Sequence, residues 1–307
     1  MRRGEFLMSK TTKWIIGIAA ALVFFFGLFL LTILSWLFSA DEEETTPGGG
    51  EKVALVELRE TITASDEIVR QLKKYRENRG VRAIVLRVES PGGGVAASQE
   101  IYEEVKKTRK SGKPIVVSMG SVAASGGYYV SCGASRIVAN PGTLTGSIGV
   151  IIQFIHVGEL LKKLGVDEST FKTGKYKDSG SPFRRVSPAE RVYFDQLIGD
   201  VYDQFVNVVA EERHLERAYV KKYADGRVFT GRKACELGFV DTLGTMEDAV
   251  SIAAGLGGVQ GKPSVVKEVR RRAFLERILG DAATELTRLR QEFLTQPILQ
   301  YKLTSPY

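Results

Sequence analysis

The sequence predicts an α/β fold, a series of repeated strand–helix units around a largely parallel sheet, preceded by one transmembrane helix. Two observations predict it. Short apolar runs rich in β-branched residues alternate with stretches of helical spacing, the pattern of parallel-sheet proteins. Separately, residues 14–38 form a run of 25 residues without a charge, enough to cross a bilayer core.

Taken in order, the apolar run comes first. Trp14 and Trp36 stand near its two ends, where amphipathic rings prefer the membrane interface. Arg2, Arg3, Lys10 and Lys13 precede it and Asp41, Glu42, Glu43 and Glu44 follow it. That bias predicts a cytoplasmic N-terminus (1–13), an anchor (14–38) and everything beyond it outside the membrane. A cleaved signal peptide is the competing reading, but the run is longer than a usual signal core, and Phe38-Ser39-Ala40 is a poor cleavage site. Residues 39–52, with Pro47 and three glycines, read as a flexible linker.

Val53–Leu58 then reads as a strand, and 65–79 as an amphipathic helix through Ile68, Val69, Leu72 and Tyr75. Ala83–Val88 is a second strand, 95–110 a second helix, and the run after Pro114 a third strand. Residues 123–134 read as helical and Arg136–Ala139 as a strand. A long helix is expected over 188–213, with Ser187 as cap, Pro188 at the first position and Glu190 completing a capping box. Two short helices follow, over Gly231–Leu237 and Met246–Ala254, which closes a domain at 53–262. The tail, 263–307, carries Lys267, Arg270, Arg271 and Arg272 and an amphipathic helix around 273–294.

Composition narrows the chemistry. The net charge is +7, but the first forty residues hold four bases and one acid. The remainder is too near balance to point to nucleic acid. Cys132 and Cys235 show no metal spacing, and no metal or cofactor is expected. They read as buried small hydrophobes, with a bridge left open. There are two histidines. His156 lies in an apolar run and is expected to be structural; His214 lies among charges and is expected at the surface.

Three loops could carry chemistry. Glu89-Ser90-Pro91-Gly92-Gly93-Gly94 follows a strand and opens a helix, and its glycines let backbone amides approach a ligand. Gly120–Tyr128 does the same around Ser125, whose small neighbours leave the hydroxyl accessible. A serine there is ordinarily only a helix cap. Thr173–Phe183 holds Lys175 and Lys177 and reads by itself as a solvated loop. Combined, they suggest more. A serine nucleophile requires a base, histidine is scarce, and a lysine kept from water can serve instead.

Five blocks carry a family resemblance: RVESPGGGV at 87–95, GSVAASGGYYVS at 120–131, PGTLTGSIGV at 141–150, GKYKDSGSPFR at 174–184 and ADGRVFTGRKACELGFVD at 224–241. In these the chain resembles the short, single-repeat form of the bacterial signal peptide peptidases, serine–lysine proteases of the crotonase and caseinolytic-protease superfamily. The resemblance covers roughly 53–255 and the anchor. It implies Ser125 as nucleophile, Lys177 as general base with Lys175 as fallback, Gly93 and Gly126 as oxyanion donors, and Ser147 as the residue that orients the lysine. It also implies a homo-oligomeric ring at the inner membrane, with sites shared between protomers and remnant signal peptides as substrates. Glu89 stands where the family more often has Asn or Asp, and His156 where Asn is common. Three other readings compete: a membrane protease acting on a stomatin-like partner, a crotonase-type acyl-CoA enzyme, and a non-catalytic scaffold.

Overall fold

A computed structural model of the chain describes residues 10–37, 42–45, 51–269 and 299–303. The helix expected at 273–294 lies outside the described residues. Two compact units are distinguished. The first contains α1 (Lys10–Leu37). Among the described residues no helix is long and apolar enough to cross a membrane. The spanning role expected of 14–38 is therefore not shown by the fold.

The second unit holds the sheet. Its strands are β1 (Glu42–Thr45), β2 (Lys52–Arg59), β3 (Val81–Ser90), β5 (Ile115–Ala124), β6 (Arg136–Ala139), β7 (Leu144–Gly146), β8 (Val228–Thr230), β9 (Thr242–Leu243) and β10 (Ser264–Val269). The main order is β1-β10-β2-β3-β5-β6-β9, with β7 joining the end of β5 and β8 joining β7. The pairings from β10 through β9 are parallel, as is β5–β7; β7–β8 is antiparallel. A separate two-stranded ribbon pairs β4 (Gly92–Gly94) with β11 (Gln300–Lys302). The compact unit thus runs past residue 262, through β10 and β11.

The central strands are apolar at consecutive positions because both faces of the sheet are covered. Ile84, Leu86 and Val88 of β3, with Ile115, Val117 and Met119 of β5, join the larger core cluster. That cluster takes Ile68, Leu72 and Tyr75 from α2 (Asp66–Glu77), Ile101, Tyr102 and Val105 from α3 (Val95–Lys110), and Phe205, Val206 and Val209 from α6 (Pro188–Arg213). The alternate residues Ala83, Val85 and Val116 meet Ala249, Ala253 and Ala254 of α9 (Met246–Leu256). The α6 bounds match the sequence expectation, and the Ser187–Glu190 capping box forms. The expected 123–134 helix is shorter: α4 runs Gly126–Cys132, because β5 extends to Ala124. The remaining helices are α5 (Gly158–Lys163), α7 (Arg217–Tyr223) and α8 (Gly231–Glu236).

A buried polar knot locks α3 to α6. Glu212 accepts from Tyr102 Oη at 2.7 Å and from Arg109 Nη2 at 2.7 Å, and Lys106 Nζ lies 2.9 Å away. Burial pushes this carboxyl up, but the bonds from Lys106, Tyr102 and Arg109 together outweigh it and hold it below 4.5. A depressed carboxyl stabilises the fold above its unfolded pKa, and that contribution is lost as pH falls through the folded value. Glu212→Gln should cost about 3 kcal/mol at neutral pH. In thermal melts the wild-type and variant curves should converge on acidification below pH 4.5. A gap that is constant with pH would contradict the assignment.

Candidate active site

The parallel strands β5 and β7 pair Ala124 with Gly146. Ser125 and Ser147 therefore step off neighbouring strand ends side by side. Both have left-handed backbones, φ 54° and φ 49°, a conformation that costs an L-residue about 1–3 kcal/mol. The Ser125 N–H donates to the Gly146 carbonyl at 2.8 Å, and its own carbonyl accepts from Tyr129 N–H at 2.8 Å. The elbow is thus fixed from both sides. Ser125 stands at the N-cap of α4, but its side chain makes no capping bond. The residue is 1% exposed, and its Oγ has no hydrogen-bond partner among the described residues. The simple cap reading therefore fails. A buried hydroxyl left without a partner costs about 1–3 kcal/mol.

The glycine loop closes over this elbow. A Cβ on Gly126 would lie 2.6 Å from Ser98 Oγ and 3.2 Å from the Gly93 nitrogen, so the amides of Gly93 and Gly126 belong to one crowded corner. Into it runs the chain's own tail. β11 pairs antiparallel with β4, Tyr301 opposite Gly93. The flanking bonds, Val95 N–H to Leu299 O at 3.2 Å and Leu303 N–H to Pro91 O at 2.8 Å, make 93–301 a hydrogen-bonded pair in the alternating ladder. The Gly93 amide therefore faces the Tyr301 carbonyl. A Cβ on Gly92 would lie 2.0 Å from that same carbonyl oxygen and 2.6 Å from the Gly126 nitrogen. On its other edge the tail bonds to Ile151, with N–H to O distances of 3.0 and 3.1 Å in the two directions. The Tyr301 carbonyl is thus paired with the Gly93 amide, in the corner that the Gly126 amide also borders.

The Tyr301 side chain is fully buried. Its ring stacks on Tyr129 (5.1 Å between centroids, 24° between planes) and packs on Phe205 at 4.7 Å, and its hydroxyl donates to the Val201 carbonyl at 3.2 Å. The adjacent space is an open cavity of about 480 Å³, lined by Ser147, Ile151, Asp195, Tyr202, Asp225 and Lys302 among others.

Lys177 is not brought to Ser125 within the chain. It is exposed, as is Lys175, whose ammonium lies 5.2 Å above the Tyr176 ring. The histidines supply no substitute. His214 caps α6 at φ 54° and is exposed, as expected. His156 is exposed too, which corrects the structural role read from its apolar neighbours: the segment around it lies outside the core. Both cysteines are free, and burial pushes the Cys132 thiol up to about 12, leaving it a protonated core side chain.

Two contributors were not read from the sequence. Tyr301 is one. Glu89 is the other: between Val88 and Ser90 the β3–β5 register slips from Met119 to Ala123. The bulge strands the amides of Ser121 and Val122, and the Glu89 carboxylate accepts both, at 2.9 and 3.1 Å. The longer acid at this position braces the strand end that carries Ser125.

Comparison with known proteins agrees with this geometry. Residues 107–260 match the sequence profile of Peptidase family S49, and 52–142 that of Clp protease. A Synechocystis sp. chain described as a protease is 44% identical over 211 residues, 68% of this chain and 76% of the relative. An Enterococcus faecium chain described as a signal peptide peptidase is 45% identical over 180 residues, 59% of this chain and 52% of the relative. Protease 4 of Haemophilus influenzae is 36% identical over 214 residues, 67% of this chain and 35% of the relative.

Gly92 has φ +99° and no room for a side chain. Gly92→Ala should lower peptide hydrolysis by on the order of 10²-fold, because a side chain there fills the groove in which an extended strand pairs with β4. Gly112→Ala, at φ +86° in open space, should leave it intact. Equal activities of the two variants would contradict this placement.

Proposed function

The chain belongs to Peptidase family S49, and on that premise we propose that it is a membrane-anchored serine endopeptidase in which Ser125 is the nucleophile and Lys177 of a second copy the general base. The observation that carries this reading is the tail strand. The chain's own residues 299–303 lie extended between β4 and Ile151, with the Tyr301 carbonyl against the Gly93 amide, and the Ser125 hydroxyl is buried and unbonded. A crotonase-type acyl-CoA enzyme has no use for such a strand-addition groove.

The reaction follows from these parts. A neutral lysine amine takes the Ser125 proton, and Oγ attacks the peptide carbonyl. The oxyanion develops against the amides of Gly93 and Gly126, each worth about 3 kcal/mol of barrier lowering. The ammonium then protonates the leaving amine, and an acyl-enzyme remains. The amine next activates water, which releases the second product and restores the hydroxyl. Ser147, beside Ser125 and facing the cavity, orients the incoming amine. Only the uncharged amine accepts a proton, so the rate rises with pH.

A second copy as donor of Lys177 is supported by the exposure of its segment. Ile155, Leu160, Leu164, Val166 and Phe171 expose between half and nearly all of their surface, an apolar arm that needs a cover. The membrane belongs to the same reading, supported by the uncharged run at 14–38 and by the bases before it and acids after it. The catalytic unit then faces outward from the cytoplasmic membrane. Peptides left there after export suit an apolar, aromatic-walled pocket and agree with the name of the Enterococcus faecium relative.

Two tests apply. A fluorophosphonate probe should label wild-type protein and fail on Ser125→Ala. Mixed assemblies of Ser125→Ala and Lys177→Ala chains should regain at least about a tenth of wild-type activity, since one site in such a ring keeps both groups. Labelling that survives Ser125→Ala sinks the nucleophile, and failure to complement in proven mixed assemblies sinks the shared site.

A further inference from the structure

The segment that carries Lys177 is weakly embedded. Most residues from 151 to 185 are exposed or half-exposed, Phe171 at 98%. Apolar packing alone cannot fix a base on such an arm. Yet both neighbours of Lys177 are tied to the first turns of α6. On one side the Tyr176 ring stacks on Tyr193 of α6, 5.2 Å between centroids and 27° between planes. On the other side Arg184 grips Asp178, donating from Nε to Oδ2 at 3.0 Å and from Nη2 to the backbone carbonyl at 3.2 Å.

The same guanidinium forks onto Glu190, from Nη1 to Oε2 at 2.8 Å and from Nη2 to Oε1. Glu190 is 2% exposed and also accepts the Ser187 amide at 2.8 Å as part of the capping box. Lys172 holds the second oxygen of Asp178. A chain of charge-assisted bonds thus runs from the N-terminus of α6, whose later turns are core, to the residue beside Lys177. Forked arginine contacts fix direction as well as distance, which a single ammonium cannot do. The other ion pair of the arm, Arg185 with Glu159, is exposed on both sides and contributes little.

We propose that Arg184 is a positioning residue for the base: through Asp178 and Glu190 it mounts Lys177 on α6 and sets the direction in which that side chain leaves the arm. This rests on Lys177 being the base, as read above. The residue itself touches no substrate and acts only through the lysine.

The test uses the full-length assembled protein. Arg184→Ala should lower kcat by on the order of 10²-fold, the cost of a misplaced reacting group, with KM within about twofold. Arg184→Lys keeps the charge but loses the fork and should be nearly as slow. Asp178→Asn, which leaves the Arg184–Glu190 pair intact, should show an intermediate loss and serves if Arg184→Ala does not assemble. In a Lys177→Ala background, Arg184→Ala should have no further effect on the residual rate. An equal loss in that background means a general structural role and overturns the proposal, as does wild-type kcat in both Arg184→Ala and Asp178→Asn. Full recovery in Arg184→Lys reduces the role to charge and overturns it too. Wild-type activity of Lys177→Ala instead removes the base assignment, a distinguishable outcome.

Discussion

Ser125 is held in a backbone conformation that an L-residue resists, and much of the fold supplies the restraint. The strain persists because the Gly146 carbonyl takes its amide, α4 takes its carbonyl and Glu89 braces the bulge before it. What the strain provides is direction. The hydroxyl makes no bond to the helix it would otherwise cap and is left without a partner among the described residues. The sheet matters to function mainly as the rigid body that holds this elbow against relaxation.

The same corner explains the glycines. Gly92, Gly93 and Gly126 lie where backbone segments approach too closely for a side chain, and at Gly92 the φ of +99° excludes one as well. The bound strand also defines a pocket. Tyr129 and Phe205 come from elements far apart in sequence, α4 and α6, and together they hold an aromatic ring at the residue whose carbonyl faces the Gly93 amide.

Much of this was legible before any coordinates. The continuous apolar runs of β3 and β5 announced strands buried on both faces, and Ser187, Pro188 and Glu190 announced where α6 starts. Ser125 was legible as an elbow because small residues surround it. Other features were not. Residues 300–302 pair with residues 92–94 some two hundred positions away, and no local periodicity marks so short a strand. Glu89 looked like a departure because its partners are amides freed by a register slip that sequence does not display. The apolar neighbours of His156 suggested a core segment, whereas Ile155 is exposed on the arm. Patterns of burial within one chain do not distinguish a core face from one reserved for another copy.

Catalysis by Ser125 and Lys177 requires a proton to pass between side chains that one chain does not bring together. The most direct measurement is an experimental structure of the assembled protein with a peptide-derived acyl group trapped on Ser125. It predicts the Lys177 amine of a neighbouring copy within about 2.6–3.2 Å of Ser125 Oγ or of a bridging water, and the acyl oxygen on the amides of Gly93 and Gly126. A different base at that position, with every Lys177 remaining in solvent, would contradict it.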